Sequence, residues 1–283
     1  MTNSRFDDDW VKLTGIIKPV DIRRLRTHGP IDGLSIAKSS LLTAKIAREF
    51  LALESVTQLW LWCDVTRTAM QSVVSTPGLK ILDVLNIKPP GCLENFAHAG
   101  TLEEFRSNLY LTEIDLLEIA NCKSLRQLGA QSSAISSRSI NALLELPNLQ
   151  SIDLEGSSFD DKMAERISAS HAIASLDIGS TRVTRHGLKH ICKMTQLQSL
   201  DLWATRVKEE DLDMLQNLPN LEYLSVGNYL GGTNFNAESL LPRLAAIGSL
   251  RRVWLDGVQV NAEQRSQLEA RYSSVQITNE SAT

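Results

Sequence analysis

The side chains with most to offer a partner are a set of acids and a set of indoles that recur in step. Asp153, Asp177 and Asp201 are 24 residues apart, and Glu155, Asp83 and Asp256 fall in the same series. Carboxylates stacked at strand spacing repel by about 0.2–1 kcal/mol per neighbour. A basic partner surface offsets that repulsion and is steered in by the field; otherwise the acids bond local backbone or sit solvated. All five tryptophans, Trp10, Trp60, Trp62, Trp203 and Trp254, keep to a few places in the series. Tryptophan favours strands and is large for a narrow core, which explains an outward orientation. A cluster of exposed indoles also has the composition of an interface centre.

The catalytic patterns are incomplete. His186 and His190 have the four-residue spacing of a helical metal pair, but no glutamate follows the first and no third ligand is evident. The serine pairs Ser132-Ser133, Ser136-Ser137 and Ser157-Ser158 fall in turns without a base partner. Gly231-Gly232 lacks the strand-to-helix setting and the lysine of a phosphate cradle. The expectation is a non-enzymatic protein with no catalytic residue, no metal site and no cofactor.

The elements that must hold the acids and indoles are short coils. Leu149, Ile173, Leu197 and Leu221 each open a unit, and positions four and six are Ile152/Leu154, Leu176/Ile178, Leu200/Leu202 and Leu224/Val226. Earlier units open at Ile31, Val56, Leu79, Leu102 and Leu125, with a degenerate one at Asp8 carrying Val11 and Leu13. A unit at Leu250 follows one with five extra residues, and Val275 and Ile277 close the series. Period two turns positions four and six inward and three, five and seven outward. That places Trp10 at three, Trp60 and Trp254 at five, and Trp62 and Trp203 at seven. A hydroxyl at position nine (Ser39, Ser133, Ser157, Thr181, Thr205) bonds the turn, and an apolar residue follows at eleven (Leu41, Ile135, Phe159, Val183, Val207). Leu188/Ile191 and Leu212/Leu215 then show helical spacing, and Pro147-Asn148 and Pro219-Asn220 mark the return to the next strand.

These units resemble the leucine-rich repeat family, in particular bacterial cytoplasmic members with repeats of about 24 residues, over roughly residues 8 to 277. The resemblance implies an α/β fold: a right-handed solenoid or horseshoe with a parallel sheet on the concave face and helices on the convex face. One domain is expected over 1–283, with 1–30 a degenerate N-terminal capping repeat, 31–260 ten repeats, and 261–283 a C-terminal cap and tail. Trp10 suits a seal over the open end of the core. Two places break the rhythm. Residues 86 to 112 contain Pro89-Pro90-Gly91 and put Ser107 in a core slot, and residues 227 to 235 form a rim insertion with Tyr229 and Phe235.

Composition narrows the class. Lys and Arg number 29 against 33 Asp and Glu, which argues against a nucleic-acid binder. No long apolar run points to a membrane. Cys63, Cys92, Cys122 and Cys192 lie in four different units, as suits a reduced cytoplasm. The expected function is to grip a partner protein with a basic surface on the concave face. The expected contact residues are Trp60, Trp62, Asp153, Asp177, Asp201, Trp203, Tyr223, Asn228, Tyr229, Trp254 and Asp256. A concrete version is an inhibitor or immunity protein that neutralises a toxin; the alternative is an adaptor that presents a bound partner to other machinery.

Overall fold

The structure is a computed structural model that describes residues 3–7, 9–27, 29–37, 41–91, 93–108, 110–227 and 235–278, with side chains from residue 9 onward. The chain divides into two compact units, one of residues 1–135 and 142–149 and one of residues 136–141 and 150–283.

In the first unit the strands β1 (Asn3–Asp7), β2 (Trp10–Thr14), β3 (Gly33–Ala37), β4 (Gln58–Thr66), β5 (Ile81–Lys88), β6 (Glu104–Ser107) and β7 (Gln127–Ala130) each pair with the next in sequence. From β2 onward the pairs are parallel. β1 is antiparallel to β2, a hairpin strand that no repeat position announced and that occupies the sheet edge beside β2. Between strands the chain forms α1 (Pro19–Leu25), α2 (Ala44–Ala47), α3 (Arg67–Val74) and α4 (Glu113–Ile119). α5 (Ser137–Leu144) follows β7 in the chain.

The second unit repeats the plan with β8 (Ser151–Asp153), β9 (Ser175–Asp177), β10 (Ser199–Asp201), β11 (Tyr223–Gly227), β12 (Arg252–Asp256) and β13 (Ser274–Thr278), all parallel to their neighbours. Its helices are α6 (Asp161–Ile167), α7 (Arg185–Ile191), α8 (Ala237–Ala246) and α9 (Ala262–Arg271). Glu209–Asn217 is a 3₁₀ helix. Its three-residue turn keeps Leu212 and Leu215 on one buried face, so the expected spacing holds in a tighter coil.

Alternation builds the core as expected. Positions four and six are buried in every unit from Val11/Leu13 to Val253/Leu255, including Phe105/Ser107 in the stretch that breaks the rhythm. Val275 and Ile277 close the stack only half-buried. Asn148 Nδ2 and Asn220 Nδ2 donate to the Lys123 and Thr195 carbonyls of the preceding coil, which fixes the return to the next strand. One inward assignment is corrected: Leu41 is 37% exposed, and Leu42 is buried instead and bridges Val65. β4 extends past its usual end to make that bridge, which shifts the inward slot by one residue. Pro89-Pro90-Gly91 is a bend outside the strands, as the sequence led us to expect.

Candidate functional site

The site grows out of the turn that ends each short strand. In the second unit the backbone at position eight is left-handed: Gly156 (φ 66°), Ser180 (φ 54°), Ala204 (φ 52°) and Gly257 (φ 65°). That conformation points the amide at the next coil, where the Gly156, Ser180 and Ala204 N–H groups donate to the carbonyls of Gly179, Trp203 and Gly227. The position-nine hydroxyls of Thr181 and Thr205 donate to the Ile178 and Leu202 carbonyls at 2.6 and 2.8 Å, closing the turn as expected. Ser157 accepts from the Phe159 amide.

The same turns are fastened by the acids. Asp153 accepts from the Glu155 amide at 3.0 Å, Asp177 from Gly179 at 2.9 Å and Asp201 from Trp203 at 2.7 Å. Each carboxylate therefore spends one oxygen on backbone two residues ahead, so the local role foreseen for them is met. The strand register sets Asp177 directly between Asp153 and Asp201. Gly179 keeps the space beside them open, since a Cβ there would stand 3.2 Å from Asp177 Oδ1 and 3.4 Å from Asp201 Oδ1.

Burial and crowding push several acids of this face upward. Burial, then Asp201 and Asp153, push the Asp177 carboxyl up to about 8, against the opposing Gly179 hydrogen bond. Burial raises Asp201 too, opposed by bonds from the Trp203 amide and Ser225 hydroxyl. Glu155 is raised by burial, then by Asp153 and Asp201. Tyr223 is raised by burial and by Asp201, and the Arg252 guanidinium sits 5.5 Å from its ring centre.

Of the residues expected to make contacts, Asp177, Asp201, Trp203, Trp254 and Asp256 come together in one cavity of about 670 Å³. Trp203 lies in the turn just past β10 rather than in the strand, and its Nε1–H donates to Asp256 Oδ2 at 2.5 Å. Trp254 is 37% exposed, with its Nε1–H 3.3 Å from Thr278 Oγ1. Thr278 in turn donates to Asp256. Gly179, Ser225, Ile277 and Thr278 also line the cavity; Ile277 and Thr278 belong to the closing strand, and Gly179 and Ser225 carry neither a charge nor a ring to single them out in the sequence. Asp153 and Tyr223 lie alongside it in β8 and β11, outside its lining. Asn228 and Tyr229 lie outside the described residues.

Trp60 and Trp62 belong to the first unit, where they are 39% and 50% exposed on β4. The Trp10 and Trp60 rings pack at 4.6 Å and 58°, over a smaller cavity of about 350 Å³ that also takes in Lys12 and Trp62. Trp10 lies across Gly33, where a Cβ would collide with its indole.

Asp153, Glu155 and Asp177 can each bring an oxygen within 4.8 Å of the others, a spacing that could hold a hard cation. His186 Nδ1 instead lies 3.4 Å from Thr184 Oγ1, and His190 Nδ1 lies 3.4 Å from Lys193 Nζ. Cys63, Cys122 and Cys192 are buried free thiols, and burial pushes Cys63 up to about 11 and Cys192 up to about 12. Among the described residues no helix is long and apolar enough to cross a membrane.

No family model and no curated protein matches the sequence. Among solved structures, an internalin (inlF) from Listeria monocytogenes is similar, with a TM-score of 0.51 and 17% identity over 88% of this chain and 76% of that one. The likeness bears out the leucine-rich repeat solenoid as the fold.

Proposed function

We propose that this leucine-rich repeat solenoid is a non-catalytic binding protein whose sheet face takes a partner protein with a basic surface. The observation that carries the reading is the cavity in which Trp203 and Trp254 stand with Asp177, Asp201 and Asp256. Indoles supply large contact area with little conformational freedom to lose, and the acids select and steer a positive surface. Among the described residues none of these three aspartates forms an ion pair with a lysine or arginine of the chain.

Within that class our reading is an inhibitor or immunity protein that occludes a basic enzyme in a reducing cytoplasm. Three buried free thiols suit that compartment. The test is capture from lysate and from candidate toxins by the wild-type chain beside the Trp203→Ala and Trp254→Ala variants. The reading requires one partner that is retained by the wild type, depleted by both variants, and inactivated when bound. Equal retention by all three chains overturns it, and recovery of two partners at once replaces inhibition with an adaptor role.

A further inference from the structure

We propose that the cavity beside Trp203 and Trp254 is a receptor for one arginine side chain of the partner, its guanidinium seated between the indoles and the carboxylates of Asp177, Asp201 and Asp256. The inference rests on the binding-face reading above and names the group that face selects.

Charge comes first. The lining holds Glu155, Asp177, Asp201 and Asp256 and no lysine or arginine. Several acids elsewhere have basic partners: Asp64 has Lys88 at 2.6 Å, Glu49 has Arg26 at 3.0 Å, and Asp211 has Arg185 at 3.0 Å. Among the described residues Asp177, Asp201 and Asp256 have no such partner, so the cavity gathers carboxyls that an outside cation can answer. Asp177 also keeps an acceptor in reserve, since its bond to Gly179 uses Oδ1 and no bond to Oδ2 occurs among the described residues.

Shape then selects among cations. An ammonium is a compact, strongly hydrated point charge, whereas a guanidinium is flat, weakly hydrated and forked. A flat cation can stack on an indole while its N–H fork meets carboxylate oxygens two at a time. Trp203 is held ready for this by its Nε1–H bond to Asp256 and by main-chain bonds to Asp201 and Ser180 on either side. At about 670 Å³ the cavity has room for the side chain and the backbone that presents it.

One wall of the receptor is a crowded carboxyl. Asp177 is faced by Asp153 and Glu155 from the β8 coil, by Asp201 from β10 and by Tyr223 from β11, and Arg252 of β12 lies over the Tyr223 ring. With Asp177 held near 8, an arriving cation must displace a proton at neutral pH. Guanidinium stays charged throughout, so affinity climbs as the pH rises through 8.

The experiment follows the indole N–H signals in ¹⁵N-correlation spectra, assigned with Trp203→Phe and Trp254→Phe. The probes are N-acetyl-arginine methylamide, its lysine and citrulline counterparts, and calcium chloride, at pH 6.5 and 9. The arginine probe is expected to move the Trp203 and Trp254 signals and leave Trp60 and Trp62 in place. Its affinity should rise about tenfold between the two pH values, with most of that rise lost in Asp177→Asn. The proposal is overturned if citrulline or lysine binds as well as arginine, if the pH dependence is absent, or if calcium alone claims the site and shuts arginine out. If the probe moves neither indole while Trp254→Ala still loses the captured partner, this receptor falls and the binding face stands. If the partner is kept by every sheet-face variant, the binding face itself falls.

Discussion

β4 and β5 of the first unit run for nine and eight residues, whereas β8, β9 and β10 of the second stop after three. These five coils differ in the residue at position nine. Ser157, Thr181 and Thr205 close a turn there in the second unit, while Asp64 and Ile87 stand at that place in the first and the strands continue. Extension carries Asp64 beside Asn86 (2.7 Å) and Lys88 (2.6 Å), so this acid is answered within the sheet. The tight turns instead let Asp153, Asp177 and Asp201 accept from the amides two residues ahead. The long coils thus set Asp64 against Lys88, while among the described residues Asp177 and Asp201 of the short coils pair with no lysine or arginine.

The strongest way to break this contrast is to remove one indole from each unit. Trp254→Ala should weaken partner capture by about 2 kcal/mol or more, with thermal unfolding nearly unchanged, because its exposed ring holds little of the core. Trp62→Ala should match it in size if both faces meet the partner. A loss for Trp254→Ala alone, in titration calorimetry against the captured protein, would confine recognition to the second unit.

Charge sharpens the contrast at the next scale. Changing Asp153, Asp177 and Asp201 together to Asn keeps an oxygen for each backbone amide and removes the acids. Association should slow by about tenfold at low salt and lose most of its salt dependence, whereas Trp62→Ala should leave the salt slope alone. Stopped-flow rates at two ionic strengths decide it, and an unchanged slope in the triple variant removes the aspartates from recognition.

A third test reads the same acids in the unbound protein. A carboxyl raised from 3.8 to about 8, as in Asp177, keeps its proton in the fold where the unfolded chain has released it. Its stabilising contribution is therefore full below about pH 4 and is lost as the pH climbs through 8. Denaturant midpoints should fall between pH 5 and 9. Asp177→Asn should flatten that fall and gain about 1 kcal/mol at pH 9, since Asn can still accept from the Gly179 amide. A wild-type midpoint that rises over this range would contradict the crowding of Asp177.

The coil stack was legible because apolar residues at positions four and six repeat, and a slot such as Ser107 can be polar without shifting its neighbours. The outward faces of Trp60, Trp62 and Trp254 followed from the same alternation. Three features could not be read that way. β1 pairs through backbone, which leaves no side-chain period. Leu42 replaces Leu41 because β4 runs on past the usual strand end and bridges Leu42 through Val65. The cavity needs Ile277 and Thr278 from the last strand, which lies 24 residues beyond Trp254 and acquires meaning only when the coils stack.

The smallest effect probes the turn that creates the contrast. A left-handed backbone is easy for Gly156 and Gly257 but disfavours Ser180 and Ala204 by roughly 1–2 kcal/mol, because Cβ crowds the carbonyl oxygen. Ala204→Gly should relieve that crowding and return part of the gain through a freer unfolded chain, for a net increase of about 0.5 kcal/mol. Gly156→Ala should lose a similar amount or more. Asn86 holds the same place in the first unit, but it lies in β5 with its side chain on Asp64, so Asn86→Gly should destabilise. Opposite signs for glycine at equivalent positions would show that the turn belongs to the short-strand coils; equal signs would dissolve the distinction between short and long coils.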